Sequence, residues 1–361
     1  MSPAPSPSRP ITVKSGPRRS LRILIHAPLF YPSVGGTETV VSILAHEFVA
    51  RGHAVTIVTR TPDPGHTPFP FRVVRCPSQG ELLALVRQTQ VYFMANVSLK
   101  GIWPWFLSRK PLVIMHQSWY SRLDGRVAWQ DALKYQLTRF AANISASQAI
   151  ADHLPSPSTV VGNPYRDDLF RELPAVRRDR ELVFLGRLVS DKGVDLLLDA
   201  LAALRNQDLH PQLTIIGSGP EESRLRQQTI QLGLSDQVTF VGTQVGEDLV
   251  QLLNAHRILV VPSRWEEPFG IVALEGMACG CVVVGSAGGG LTDAIGPAGF
   301  TFPNEDLGAF TQTLATLLTN PDVWVACKAQ APLHLARHRR AAVASAYLQV
   351  IESHVVESEN P

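Results

Sequence analysis

The chain has 361 residues, 45% of them hydrophobic, enough for about two domains with full cores. A formal charge of +2 excludes a dedicated nucleic-acid binder, which would carry a strong basic excess. No apolar run reaches the ~18 residues of a membrane span, which excludes a helical membrane protein from the expectations.

Residues 1–20 are rich in Pro, Ser and basic side chains and contain no apolar core, so they read as a disordered tail and not a secretory signal. The first strand is expected at Arg22–His26, apolar enough to be buried on both faces of a parallel sheet. Pro32-Ser33-Val34-Gly35-Gly36-Thr37-Glu38 then opens an amphipathic helix to about Ala50, followed by a strand at Ala54–Thr59. A glycine pair between a first strand and its helix is where open α/β sheets bind phosphate, although the spacing is not that of a dinucleotide fingerprint.

Further strands are expected at 72–75, 91–95, 111–116, 143–146 and 158–161. His116 falls at the carboxyl end of one of them, where such sheets bind ligands, though an isolated histidine there is more often structural or surface-exposed. Residues 126–140 read as an amphipathic helix with a modest basic face, suited to core packing and also to contact with an acceptor or an anionic lipid surface. Residues 163–180 are polar and carry two prolines, as a linker does.

A second βα series follows. A strand at 182–185 runs into Gly186-Arg187 and Ser190-Asp191-Lys192-Gly193, then a helix from Val194 to Leu204. A strand at 212–216 ends in Gly217-Ser218-Gly219-Pro220, where Glu222 occupies the small-residue position of a dinucleotide fingerprint. Strands are expected at 238–241, 258–261 and 282–284, and a last helix from about Arg339 to Val356. The four cysteines, Cys76, Cys279, Cys281 and Cys327, show no metal-binding or CxxC spacing, which fits a reducing compartment.

The most informative stretch is Glu267-Pro268-Phe269-Gly270-Ile271-Val272-Ala273-Leu274-Glu275. Pro268 keeps Glu267 on the incoming loop and lets a helix begin near Pro268–Gly270. The first N–H groups of that helix, around Phe269 to Val272, have no partner within it and form an anion site, which Gly270 leaves open to close approach. Glu275 is the only charged residue between Pro268 and Thr292, and a carboxylate in an apolar helix asks for a partner. An anion at the helix start with hydroxyls on either side describes a nucleotide sugar.

Taken together these motifs resemble the retaining glycosyltransferases of family 4 (glycosyl transferases group 1). The resemblance runs from about Ile23 to Ile351 and rests on the Gly35-Gly36 loop, the segment from Gly186 to Gly193, the turn at Gly217 and the E-x7-E motif from Glu267 to Glu275. It implies an α/β, GT-B fold of two facing Rossmann-like domains with parallel sheets and an interdomain cleft. The implied layout is a tail at 1–20, an acceptor domain at 21–165, a linker at 166–180 and a donor domain at 181–335. Residues 336–361 would form a helix crossing back to the first domain, then a tail.

The resemblance also implies roles. Arg187 and Lys192 would bind the donor diphosphate, helped by backbone N–H groups near Gly35, Gly36 and Phe269, Gly270, Ile271 and Val272. Gly186 and Gly217 would shape the donor site. Glu267 would hold hydroxyls of the transferred sugar, Glu275 those of the ribose, and His116 would meet the sugar near C6. The implied reaction moves a hexose from a UDP-sugar or GDP-mannose to a saccharide, lipid-linked or small-molecule acceptor, in the cytoplasm or at the inner face of a membrane. No cofactor and no metal are expected, and no Asp-x-Asp motif occurs. A GT-B nucleotide-sugar epimerase and a non-catalytic nucleotide-sugar or partner-binding homologue remain alternatives. The chain departs from the family at Gly162-Asn163-Pro164-Tyr165, where Asn-Gly-Val-Asp is common, and at Asp293, where Glu is usual. It carries a third glycine at Gly288-Gly289-Gly290, and His338-Arg339-Arg340 replaces an aromatic segment.

Overall fold

The structure, a computed structural model, describes residues 20–33, 35–63, 65, 67–120 and 128–359. The expected tail at 1–19, Val34 of the glycine loop, residues 121–127 and the last two residues lie outside the described ones. Among the described residues no helix is long and apolar enough to cross a membrane.

The first sheet contains β1 (Arg22–His26), β2 (Ala54–Thr59), β3 (Arg72–Arg75), β4 (Val91–Ala95), β5 (Leu112–His116), β6 (Ala142–Ser145) and β7 (Ser158–Val160). All pair in parallel, in the order β3-β2-β1-β4-β5-β6-β7. The connecting helices are α1 (Gly36–Ala50), α2 (Gln79–Gln88), α3 (Leu99–Ser108), α4 (Trp129–Leu137) and α5 (Gln148–His153). Parallel pairing demands crossovers that cover both faces, which is why the central strands β1, β4 and β5 are buried almost throughout, whereas the edge strands β3 and β7 carry polar and exposed residues. Ile23, Ile25 and Ile57 join α1 on one face, whereas Leu24, Val58 and Met94 pack with α2 and α3 on the other.

The second sheet contains β8 (Arg180–Leu185), β9 (Leu213–Ile216), β10 (Val238–Gly242), β11 (His256–Val261), β12 (Val282–Ser286) and β13 (Gly299–Phe302), in the parallel order β10-β9-β8-β11-β12-β13. Its helices are α6 (Val194–Arg205), α7 (Glu222–Gln231), α8 (Gly246–Ala255), α9 (Ile271–Ala278), α10 (Leu291–Ile295), α11 (Leu307–Thr319) and α12 (Pro321–Arg337). The edge strand β13 and the helices α11 and α12 have no counterpart in the sequence reading. β13 is a four-residue strand with an exposed residue, and α12 buries few side chains, chiefly Ala331 and His334, so neither writes a clear apolar period.

The final helix, α13 (Arg340–Glu359), leaves the second domain and packs on the first. Val343, Ala344, Tyr347, Leu348, Ile351 and Val355 enter the core beside α1 and β1. The corner between α12 and α13 is tied to the linker. Tyr165 N donates to His338 O at 3.2 Å, His338 Nδ1 donates to the Asn163 carbonyl at 3.0 Å, and Arg340 Nε meets Asp167 at 2.8 Å. Among the described residues, two hydrogen bonds cross the cleft itself. Trp119 Nε1 donates to Glu266 O at 2.7 Å, and Gln148 N donates to Asp293 Oδ2 at 2.6 Å. The departures at Asn163, Asp293 and His338 thus all lie where the domains meet.

Candidate active site

Glycines zip the loops of the second domain together. A Cβ on Gly217, whose φ is +138°, would overlap the Gly186 carbonyl, and one on Gly219 would overlap the Leu188 carbonyl. Leu188 N donates to Ser218 O at 2.9 Å and Glu221 N to Leu188 O at 3.0 Å. The Gly-Ser-Gly turn after β9 therefore supports the loop after β8. Gly193 has φ +65° and its Cα faces the Pro262 carbonyl with no room for a Cβ. Arg264 N donates to Asp191 O at 2.9 Å. These contacts carry the 3₁₀ turn at Ser190–Lys192 onto the loop after β11.

That docking brings Lys192 to Glu267. The Lys192 ammonium and the Glu267 carboxylate form a close ion pair, and Ser263 Oγ donates to the same carboxylate oxygen at 2.7 Å. Both side chains are partly buried, so the pair is better shielded from solvent than a surface bridge. Glu267 lies on the incoming loop, as Pro268 dictates, and bridges to Gly289 of the triple-glycine turn. Arg187 is exposed and has no ion-pair partner among the described residues.

The helix α9 starts at Ile271, one residue past the expected interval. Gly270, at φ +98°, is its N-cap, and a Cβ there would lie 2.6 Å from Leu291 Cδ1. No side chain caps this end, so the N–H groups of Ile271 and Val272 stay available. Phe269 is buried and stacks its ring near His338, centroids 5.5 Å apart, so its side chain belongs to the domain junction. Glu275 is half-buried; its carbonyl accepts from Cys279 N at 3.1 Å, and its carboxylate makes no hydrogen bond among the described residues. Burial pushes its carboxyl up to about 7, against the opposing charge of Arg166. Arg166 itself is held in a fork by Asp168 at 3.0 Å.

On the first domain, Gly35 is the N-cap of α1, with no side-chain cap, and Gly36 has open space where a Cβ would be. The carboxylate of Glu38 leaves no room for a Cβ on Gly35. This buried acid in the first turn was missed by sequence reasoning, although its place three residues after Gly35 could have flagged it.

His116 corrects an expectation. It ends β5 as anticipated, but it is fully buried and both ring nitrogens are engaged. Asn143 donates its amide to Thr138 O at 2.9 Å, so its Oδ1 accepts from His116 Nε2 at 3.0 Å. Nδ1 then accepts from Tyr120 OH at 2.8 Å, whose oxygen in turn accepts from Val97 N at 2.9 Å. Burial holds this neutral imidazole at a pKa of about 4. With no surface and no spare nitrogen, the ring offers no free atom for the contact near C6 that the resemblance implies. The neighbouring Gln117 is also committed, exchanging paired amide bonds of 2.7 Å with Asn163.

A separate hollow of about 640 Å³, lined by Arg178, Leu209, Arg257 and Trp324 among others, lies at the amino-terminal edge of the second sheet and includes none of these residues.

Two parallel-sheet Rossmann-like domains whose carboxyl edges face each other, closed by a C-terminal helix that returns to the first, define the GT-B architecture. Solved structures agree on the fold. Anabaena HepE in complex with UDP and glucose superposes with a TM-score of 0.76 at 20% identity, covering 92% of this chain and 100% of that one. Sucrose-phosphate synthase from Thermosynechococcus elongatus gives 0.77 at 21% identity over 93% of this chain and 99% of that one. Residues 166–334 match the family model described as Glycosyl transferases group 1. Among curated proteins, the D-inositol 3-phosphate glycosyltransferase of Corynebacterium jeikeium (strain K411) is 34% identical over 191 residues, 50% of this chain and 45% of that protein. The match thus spans less than half of that relative's length. The enzyme of the same name from Stackebrandtia nassauensis is 29% identical over 378 aligned positions, 85% of each chain.

Proposed function

We propose that this chain moves a hexose from a nucleotide-diphosphate sugar to a saccharide, lipid-linked or small-molecule acceptor with retention of configuration. The observation that carries the reading is the Lys192–Glu267 pair, set beside the uncapped start of α9, with the Glu275 carboxylate, free of hydrogen bonds among the described residues, about one turn further on.

In this reading Lys192 and the free Arg187 take the donor diphosphate, the guanidinium bidentately and the ammonium as a point charge. The amides of Ile271 and Val272, and those near Gly35 and Gly36 across the cleft, add neutral donors. Diphosphate binding draws Lys192 from Glu267, whose carboxylate then accepts from hydroxyls of the transferred sugar while Ser263 keeps it oriented. Glu275 accepts from the ribose hydroxyls. As the glycosidic bond breaks, negative charge grows on the leaving phosphate, where the cations and helix start stabilise it. The leaving phosphate helps deprotonate the acceptor on the same face, so no covalent nucleophile and no metal are needed. His116 orients the Tyr120 and Asn143 side chains and has no direct part. The relatives, two glycosyltransferases and a protein solved in complex with UDP and glucose, support the class.

The test is a panel of UDP- and GDP-sugars read as thermal stabilisation, followed by product analysis with acceptors. Saturable stabilisation by one donor and acceptor-dependent transfer are expected. Binding without turnover over a broad acceptor panel would leave a nucleotide-sugar-binding homologue, and an isomeric sugar formed without acceptor would mark an epimerase.

A further inference from the structure

A second pocket lies at the carboxyl edge of the first sheet, away from Glu267 and Lys192. It has a volume of about 310 Å³ and is lined by His26, Arg60, Cys76, Gln79 and Lys100, with Val58 and Leu82 among its apolar lining. His26 ends β1 and Lys100 opens α3, which follows β4. β1 and β4 are adjacent strands whose following helices lie on opposite faces of the sheet. This is the topological switch point, where open α/β sheets hold ligands.

Its chemistry is one-sided. No carboxylate lines it, and neither Arg60 nor Lys100 has an acidic partner among the described residues. The helix α3 has no side-chain cap; the amides of Gly101 and Ile102 donate to Ser98 O, and those of Leu99 and Lys100 have no partner among the described residues. Gly101 lets this turn press on His26, since a Cβ there would overlap the imidazole. His26 is only 5% exposed, and its Nδ1 is enclosed with no hydrogen-bond partner. An enclosed, unpaired ring nitrogen carries a cost, and the same imidazole lines the pocket.

We infer that this pocket binds a phosphomonoester carried by the acceptor, with Arg60 and Lys100 as paired cations, the α3 amides as neutral donors and the His26 imidazole as a further donor. Two cations and an uncapped helix start suit a dianion. Burial, and secondarily the nearby charge of Arg60, hold the imidazole at a pKa of about 4; an anion seated between them offsets the second cause. The assignment rests on the reading that the first domain receives the acceptor. The phosphate could belong to a soluble sugar phosphate or to a lipid headgroup.

The test uses the full chain and the double variant Arg60→Gln/Lys100→Gln, both positions being exposed and outside the donor site. Calorimetry with inorganic phosphate, and with glucose 6-phosphate against free glucose, is run at constant ionic strength. Wild type should bind both phosphates saturably and glucose not at all, and the double variant should bind them at least tenfold more weakly. UDP binding, measured in parallel, should be unchanged. Sedimentation with phosphatidylcholine vesicles containing phosphatidic acid covers the lipid source: a signal there that the double variant loses supports the pocket with a lipid headgroup as its occupant. Equal behaviour of wild type and double variant toward the soluble phosphates and the vesicles overturns the inference. Phosphate binding that depends on Arg60 and Lys100 in a chain that binds no nucleotide would sink the transfer reading and leave the pocket standing.

Discussion

Lys192 and Glu267 lie 75 positions apart in sequence and form one ion pair, with Ser263 bound to the same carboxylate oxygen. The pair holds both side chains at the cleft in the absence of a ligand. On the proposed reading, a donor diphosphate would compete with Glu267 for Lys192, and filling of the phosphate site would be coupled to release of that carboxylate.

Removing either partner should therefore cost more than one contact. Lys192→Ala leaves a shielded carboxylate with Ser263 alone, and Glu267→Ala leaves an unpaired ammonium. Each should slow transfer by about 10²–10³, the scale of losing one preorganised polar group in a shielded site. Glu267→Gln keeps an acceptor for Ser263 and Lys192 and should recover part of the loss. Steady-state turnover of an active donor–acceptor pair checks this; rates within twofold of wild type in both alanine variants would refute the assignment.

Gly193 is the backbone condition for that pair. Its left-handed φ and its contact with the Pro262 carbonyl leave no place for a methyl group. Gly193→Ala should destabilise by roughly 2 kcal/mol or more and lower turnover, because the 3₁₀ turn carrying Lys192 must move. Gly80→Ala, in the first turn of α2 with open space around it, is the control and should change stability by less than about 1 kcal/mol. Urea unfolding of both variants makes the comparison.

Sequence patterning reached the fold because parallel strands are locally encoded. Arg22–His26, Ala54–Thr59 and the strands at 72–75 and 91–95 fall where apolar runs and turn residues put them. The glycine turns were legible for the same reason, and the Gly217 turn could be separated from a dinucleotide fingerprint by Glu222. What escaped depends on distance in the chain. Nothing near Lys192 announces Glu267, and nothing near His116 announces Asn143 and Tyr120 closing on both its nitrogens. α12 escaped because it buries too few side chains to write an apolar period, although the Asn320 cap on Val323 N and Pro321 in its first turn are local start signals. Asn163 and His338 were noticed only as departures from a family pattern, and only the structure joins them by a hydrogen bond.

Glu275 should report on pH. Its carboxyl is raised from 4.5 to about 7 by burial, so between those values the folded chain binds more protons than the unfolded one. Stability from this group is present at low pH and is lost as pH rises from 4.5 through 7, by an amount on the order of 1–3 kcal/mol. Glu275→Gln should abolish that loss and raise the melting temperature of the ligand-free protein at pH 8. It should also weaken donor binding, since an amide is a poorer acceptor for the ribose hydroxyls. A variant that keeps the wild-type pH slope would show that the carboxyl titrates normally.

The domain junction should respond in the opposite direction through His338. Burial, offset in part by its bond to the Asn163 carbonyl, lowers its pKa from 6.5 to about 4. The unfolded chain therefore takes up the proton first. Stability held by the neutral imidazole is complete above pH 6.5 and declines as pH falls toward 4. At pH 5 the loss from one such histidine is on the order of 2 kcal/mol. His26, His116 and His256 are likewise held near 4, chiefly by burial, so acid should destabilise both domains. His338 differs in that its bond joins the corner of α12 and α13 to the linker, beside Phe269 at the entry to α9. His338→Gln should lower stability at pH 7, where the neutral ring and its packing are lost, yet lose less on going to pH 5 than wild type does. Urea titrations of both proteins at the two pH values measure this difference, and parallel losses would remove His338 from the acid response.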